Sequence, residues 1–237
     1  IDDDNLIVTT PNPGLLPERS EKIAASLSYF FGNSGINNVQ IVATHTKTSN
    51  QTLGLRLTAE EYGNTDPALA DYEFQSFSNA SSPVTWNTVE YSYQQYLSFL
   101  PRYFQGTSLT TSYTRVDVDT PTGVFVGGVI PNSVKGTLGW RYNRFGISFS
   151  AIWSDDSGPW LNNINRYQKA NTKCDFSGSI RITEHVSFYF AARNVFQQSH
   201  RIMEKSAGNP DVLYRYENYG SNWTFGRKCS FERGFIK

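Results

Sequence analysis

Apolar and polar residues alternate with a period of two along most of the chain, and runs with helical spacing are nearly absent. The first alternating run covers 19–31, with Ile23, Ala25, Leu27, Tyr29 and Phe31 on one face and Lys22, Ala24, Ser26 and Ser28 on the other. Further strands are predicted over 38–45, 85–98 and 108–117. In the third, Val89, Tyr91, Tyr93 and Leu97 oppose Thr88, Glu90, Ser92 and Gln94; in the fourth, Leu109 and Tyr113 oppose Thr110, Ser112 and Thr114. The later runs separate more cleanly. Val134, Leu138, Trp140 and Tyr142 alternate with polar residues and glycine, as do Ile147, Phe149, Ala151 and Trp153. Cys174, Phe176, Ile180 and Ile182 follow, then Val186, Phe188, Phe190 and Ala192, and last Trp223, Phe225 and Phe231. About nine strands result, and ~9–11 residues suffice for a tilted strand to cross a bilayer.

The connections carry as much information as the strands. Links after odd strands are short (32–37, 99–106, 143–145, 183–185), whereas links after even strands are long (46–84, 118–131, 155–168, 198–220). Outer-membrane barrels sort their connections this way, with short periplasmic turns and long extracellular loops. The expected fold is therefore all-β, an antiparallel up-and-down transmembrane β-barrel segment whose first strand descends from outside the cell. In the first long loop, Thr58-Ala59-Glu60-Glu61 reads as a capping box. Asp66-Pro67 reads as an N-cap followed by Pro at the first helical position, so short helices are expected between 57 and 73. The competing reading is a soluble β-sandwich, a carbohydrate-binding or adhesion module. It accounts for Tyr- and Trp-rich loops, but a Greek-key sandwich has no reason to sort loops by parity.

Composition supports the strands. Aromatic residues make up 15% of the chain, and such residues favour strands and gather at membrane interfaces. A mean hydropathy of -0.45 is too polar for a helical membrane protein but not for a barrel with one polar face. Lys+Arg and Asp+Glu balance at 21 each, which leaves no electrostatic footprint for nucleic acid. The start at Ile1, with neither Met nor a leader pattern, is read as a piece of a longer protein. One strand is expected between those of Cys174 and Cys229, so their backbones stand ~10 Å apart, beyond disulfide reach. Both are expected to be small side chains facing lipid.

No Ser-His-acid constellation and no Gly-rich phosphate loop can be assembled, so catalysis is not expected, and an outer-membrane enzyme barrel lacks its cluster. His45, His185 and His200 stand apart without metal-ligand spacing, and no metal or cofactor is expected. The acidic groups at Asp2-Asp3-Asp4, Glu60-Glu61 and Asp155-Asp156 read as loop solubility. For a ligand, aromatic and cationic residues on the long loops are the candidates: Trp160, Arg166 and Tyr167, then Tyr214, Arg215 and Tyr216. Ordinary loop-tip or interface placement is the alternative for each.

Several segments, in order, resemble TonB-dependent outer-membrane receptors. The stretch Asn12-Pro13-Gly14-Leu15-Leu16-Pro17-Glu18 is similar to that family's Asn-Pro-x-Leu-x-Pro-Glu element, which enters a late barrel strand. Ile130-Pro131-Asn132-Ser133-Val134, then 167–179, then Phe188 through Arg193-Asn194-Val195-Phe196, and finally Tyr219-Gly220 with Trp223-Thr224-Phe225-Gly226 resemble its later strands. The resemblance implies a 22-stranded barrel with an N-terminal plug in the outer membrane of a Gram-negative bacterium. It also implies import of a scarce small-molecule or oligosaccharide ligand, such as a siderophore, cobalamin or glycan, driven through the TonB complex. The chain, 1–237 with strands over about 19–231, would be the C-terminal part of that barrel, inactive alone. Its partners would be outer-membrane lipid, the ligand and, through the plug side, TonB. Two features depart from the pattern. Glu232 to Lys237 run past Phe231, the expected terminal aromatic, and Arg227 falls on the lipid face, where a charge costs ~2–4 kcal/mol at mid-depth.

Overall fold

The computed structural model describes residues 1–2, 6–32, 36–121, 126–159, 165–206 and 208–229. Phe231 and the residues after it lie outside the described residues. The strands are β1 (Ile7–Thr9), β2 (Arg19–Phe31), β3 (Asn37–Ser49), β4 (Thr52–Leu57), β5 (Glu73–Asn79), β6 (Val84–Tyr96) and β7 (Thr107–Asp119). They continue with β8 (Asn132–Tyr142), β9 (Phe145–Ser154), β10 (Arg166–Gln168), β11 (Asn171–Arg181), β12 (Val186–Arg193), β13 (His200–Glu204), β14 (Val212–Glu217) and β15 (Asn222–Cys229). Among the described residues, helix is confined to α1 (Ala59–Tyr62) and a 3-10 turn, Pro67–Leu69.

Nine strands form one sheet in the order β15-β12-β11-β9-β8-β7-β6-β3-β2. With the loop strands set aside, this is chain order, so each strand pairs with its successor and no Greek-key crossing occurs in that sheet. These are the nine stretches that the alternation predicts, joined by alternately short and long connections as expected. The largest boundary difference is β3, which runs to Ser49 where the apolar pattern ends at 45. Lys47, Thr48 and Ser49 are polar on both faces, so their pairing leaves no periodic trace.

The chain divides into two compact units. The smaller comprises Ile1–Ile23, His45–Asn87 and Val118–Phe125. In it β5 pairs in parallel with β1 and antiparallel with β4. Phe74 is 3% exposed beneath the ring of Tyr62, stacked at 4.5 Å, with Ala59 and Val84 also buried. The anticipated caps are present. Glu61 N–H donates to Thr58 Oγ1 (3.2 Å), Thr58 N–H donates to Glu61 Oε2 (2.9 Å), and Ala68 N–H donates to Asp66 Oδ1 (2.9 Å). The hairpin of β4 and β5 that flanks these helices is not anticipated by the pattern.

In the larger unit, the register sets side chains in rows across the sheet. Leu138, Phe149, Phe176, Ala192 and Trp223 align from β8 to β15. The next row toward the short turns is Trp140, Ile147, Gly178, Phe190 and Phe225, and the last is Tyr142, Phe145, Ile180, Phe188 and Arg227. On the opposite face, Gly139, Ser148, Ser177, Ala191 and Thr224 align, then Arg141, Gly146, Ser179, Tyr189 and Gly226. Leu138, Ile147, Phe149, Phe188 and Phe225 are all exposed on the apolar side, so no layer of described residues covers it. Arg227 does stand on this apolar face, but in the row beside the short turns, where a charge costs only ~0–1 kcal/mol if the face meets lipid.

The two cysteines are free, and β12 lies between their strands as anticipated. Cys229 is exposed, but Cys174 is 7% exposed, which corrects the expectation of a surface thiol there. A thiol is short, and Phe176 on the same strand and Trp153 on the neighbouring one set larger side chains on the same face.

Candidate functional site

The loops after β9 and β12 meet in a three-stranded sheet of order β10-β13-β14. Ile202, fully buried at the centre of β13, gives this sheet its core. Arg166 lies opposite Glu204, Tyr167 opposite Met203, and Gln168 opposite Ile202. On the other edge Ile202 pairs with Arg215 and Met203 with Leu213, so Tyr214 is an extra, bulged residue. The bulge turns the Tyr214 ring under the Arg166 guanidinium, 3.5 Å from its centroid, while Arg166 Nε donates to Glu204 Oε2 (3.1 Å). Glu204 and Tyr214, both remote from Arg166 in sequence, thus hold its guanidinium with the donor fork fixed.

Beside this pair opens a cleft of about 620 Å³, lined by Asp156, Gly158, Pro159, Arg166, Tyr167, Lys169, Lys205 and Asp211. Tyr167 donates its hydroxyl to Asp211 Oδ2 (2.6 Å), and Lys169 Nζ donates to Asp156 Oδ2 (2.9 Å). Asp156 Oδ1 also accepts from Ala170 N–H (2.6 Å). The ammonium groups of Lys169 and Lys205 stand 5.7 and 5.8 Å from the Tyr167 ring centroid. Donation to Asp211, burial and the charges of Asp211 and Asp156 push the Tyr167 phenol up to about 12. It is therefore a neutral donor at physiological pH, in a cleft that offers ammonium groups, a guanidinium and an aromatic face.

Of the six candidate ligand residues, the sheet brings Arg166, Tyr167 and Tyr214 together. Trp160 lies outside the described residues. Arg215 turns to an ion pair with Glu217, and Tyr216, 56% exposed, stands opposite Arg201. Asp156, Lys169, Lys205 and Asp211 complete the cleft, with Glu204 holding Arg166 beside it, and none is found as a site residue from sequence. Of these only Asp156 is read from sequence, as loop solubility, and the partners lie 13 to 44 residues away.

The motif residues have structural places. Asn12 Oδ1 accepts from Gly14 N–H (2.8 Å), and its Nδ2 donates to Phe77 O (2.9 Å). Between Pro13 and Pro17, Leu16 N–H donates to Asn79 Oδ1 (2.7 Å), and Asn79 Nδ2 donates to Leu16 O (3.0 Å) and Asn50 O (2.7 Å). Asn50 Nδ2 reaches Pro17 O (3.3 Å), so the segment carrying Leu15 is tied to β5 before Glu18 leads into β2. At the other motif, Arg193 pairs with Asn222 and Phe196 is exposed. Asn194, at φ 52, accepts from Gln198 N–H (2.9 Å) and donates to Gln198 O (3.1 Å) and Gly220 O (3.0 Å).

No protein-family model matches the sequence, and no curated protein does either. Solved structures do match. The pyoverdine outer membrane receptor FpvA from Pseudomonas aeruginosa, bound to pyoverdine, superposes with a TM-score of 0.61 at 14% identity over 92% of this chain. A mutant of the ferric enterobactin receptor PfeA from the same organism, in complex with enterobactin, does so with a TM-score of 0.66 at 11% identity over 95% of this chain. The chain spans 30% and 33% of the length of those two chains. Over that third, the protein has the β-barrel fold of these outer-membrane receptors, the fold that its resemblance to TonB-dependent receptors implies.

Proposed function

We propose that the chain forms the C-terminal wall and outer loops of an outer-membrane receptor that takes up a scarce ligand by TonB-coupled transport. The observation that carries this reading is the in-register face of exposed apolar side chains from β8 to β15, backed by a polar face on the same strands. Water penalises such a face and a bilayer rewards it. The structural neighbours that bind pyoverdine and enterobactin make a siderophore the first ligand class to try, with cobalamin and glycans next. Arg166, Tyr167 and Tyr214, with Lys169 and Lys205, are the side chains placed to meet an anionic or hydroxylated ligand. On this reading a plug, further strands and the TonB contact belong to other parts of the whole protein.

The test is cell fractionation of the full-length protein, followed by uptake of ferric siderophores, cobalamin and oligosaccharides in a deletion strain. An outer-membrane protein with heat-modifiable mobility, whose loss abolishes uptake of one ligand class, is expected. Recovery as a monodisperse protein without detergent would sink the proposal.

A further inference from the structure

The apolar face is not smooth. Toward the short turns, Phe145, Ile147, Ile180, Phe188, Phe190 and Phe225 wall a groove of about 630 Å³ whose lining is almost wholly apolar. Its floor is Gly178, which interrupts the row between Ile147 and Phe190. The Phe190 ring leans into the space a side chain at 178 would occupy. At the turn-side mouth stands Arg227, exposed, its guanidinium making no hydrogen bond or ion pair with any described residue. In the row beside the short turns a guanidinium costs little, and there it can meet an anion where the apolar slot ends.

Its surroundings have the same sign. The turns and strand ends beside the groove carry Arg144 and Arg227 against one acid, Glu184, while Arg141, Arg181 and Lys228 alternate onto the opposite face. Arg144 is fixed there, donating from its guanidinium to Ile182 O (3.3 Å). The rim below the groove is therefore cationic, and the groove above it takes hydrocarbon. One molecule satisfies both requirements, an acyl chain that ends in a phosphate.

We propose that this groove holds an acyl chain of an anionic phospholipid from the turn-side leaflet, with the lipid phosphate on Arg227. The site rests on the outer-membrane reading above and adds a specific lipid partner to it. Arg227 supplies the headgroup contact, and Phe145, Ile147, Ile180, Phe188 and Phe225 supply the walls. The lipid covers the part of the face where the side chains leave a gap.

The experiment uses the full-length protein extracted from outer membranes in mild detergent and exchanged into micelles doped with phosphatidylglycerol or phosphatidylethanolamine. Bound lipid is read by native mass spectrometry. The wild type is expected to retain phosphatidylglycerol in preference to phosphatidylethanolamine. Arg227→Gln should reduce that preference about tenfold or more, the effect of losing one charge-assisted contact. Ile180→Trp, which fills the groove and leaves the rim intact, should lose both lipids. Heat-modifiable mobility verifies that each variant is assembled. An assembled Arg227→Gln protein that keeps the full preference overturns the lipid site alone. Recovery of the wild type as a soluble protein overturns the membrane reading together with the site.

Discussion

Two asparagines do much of the holding where the chain leaves or enters the large sheet. Asn79 exchanges three hydrogen bonds with Leu16 and Asn50, and Asn194 makes three with Gln198 and Gly220 from a left-handed backbone. Asn79→Ala removes three hydrogen bonds, two of them open to water, at a net cost of about 0.5–1.5 kcal/mol. Faster amide exchange at Leu16, with the strand interiors unchanged, is the expected signature. Tyr167 offers a second residue-scale test. Its hydrogen bond to Asp211 stabilises the fold fully below the ordinary phenol value and is lost as pH rises toward about 12. Ultraviolet titration should show a late-ionising tyrosine that disappears in Tyr167→Phe and ionises earlier in Asp211→Asn. Glu217 has the opposite sign. The Tyr219 hydroxyl, then Arg215 and His200, hold its carboxyl below the ordinary value, so its contribution is present above that value and fades on acidification.

Local chemistry decides some elements completely. α1 is four residues long and cannot persist without its caps, which is why Thr58 and Glu61 announce it in the sequence. Thr58→Ala should cost about 1 kcal/mol, seen as faster exchange over 58–64 alone. Other elements have no local signature. The strands β1, β4, β5, β10, β13 and β14 are three to seven residues long, with pairings such as Ile7 to Glu73 that join distant segments. No period can be read over three residues, and loop polarity hides the pattern further. Glycine at 106 belongs with these, because its reason lies across the sheet. A Cβ there would overlap the Arg141 carbonyl, whose own residue's N–H donates to Gly106 O (3.1 Å). Gly106→Ala must therefore displace backbone, and a sharp loss of assembled protein is expected while Gly54→Ala, which meets open space, is tolerated.

At the scale of the molecule, the two faces of the sheet give unequal responses to charge. Phe149→Arg, at the middle of β9 on the apolar face, should cost about 2–4 kcal/mol in a bilayer. Ser148→Arg, one residue away on the polar face, should leave stability nearly unchanged. Urea unfolding in lipid vesicles measures both, and equal costs would contradict a membrane-facing assignment. The nine strands, their faces and the loop parity were legible in the sequence because a strand's side chains alternate by geometry, whatever the strand pairs with. The capped helix was legible because a cap is a contact between near neighbours. Row alignment, the bulge that brings Tyr214 under Arg166, the burial of Cys174 and the groove over Gly178 with Arg227 at its mouth were settled only by tertiary pairing. Each depends on which residue of one strand stands opposite which residue of another, and a side-chain period of two constrains that register without specifying it.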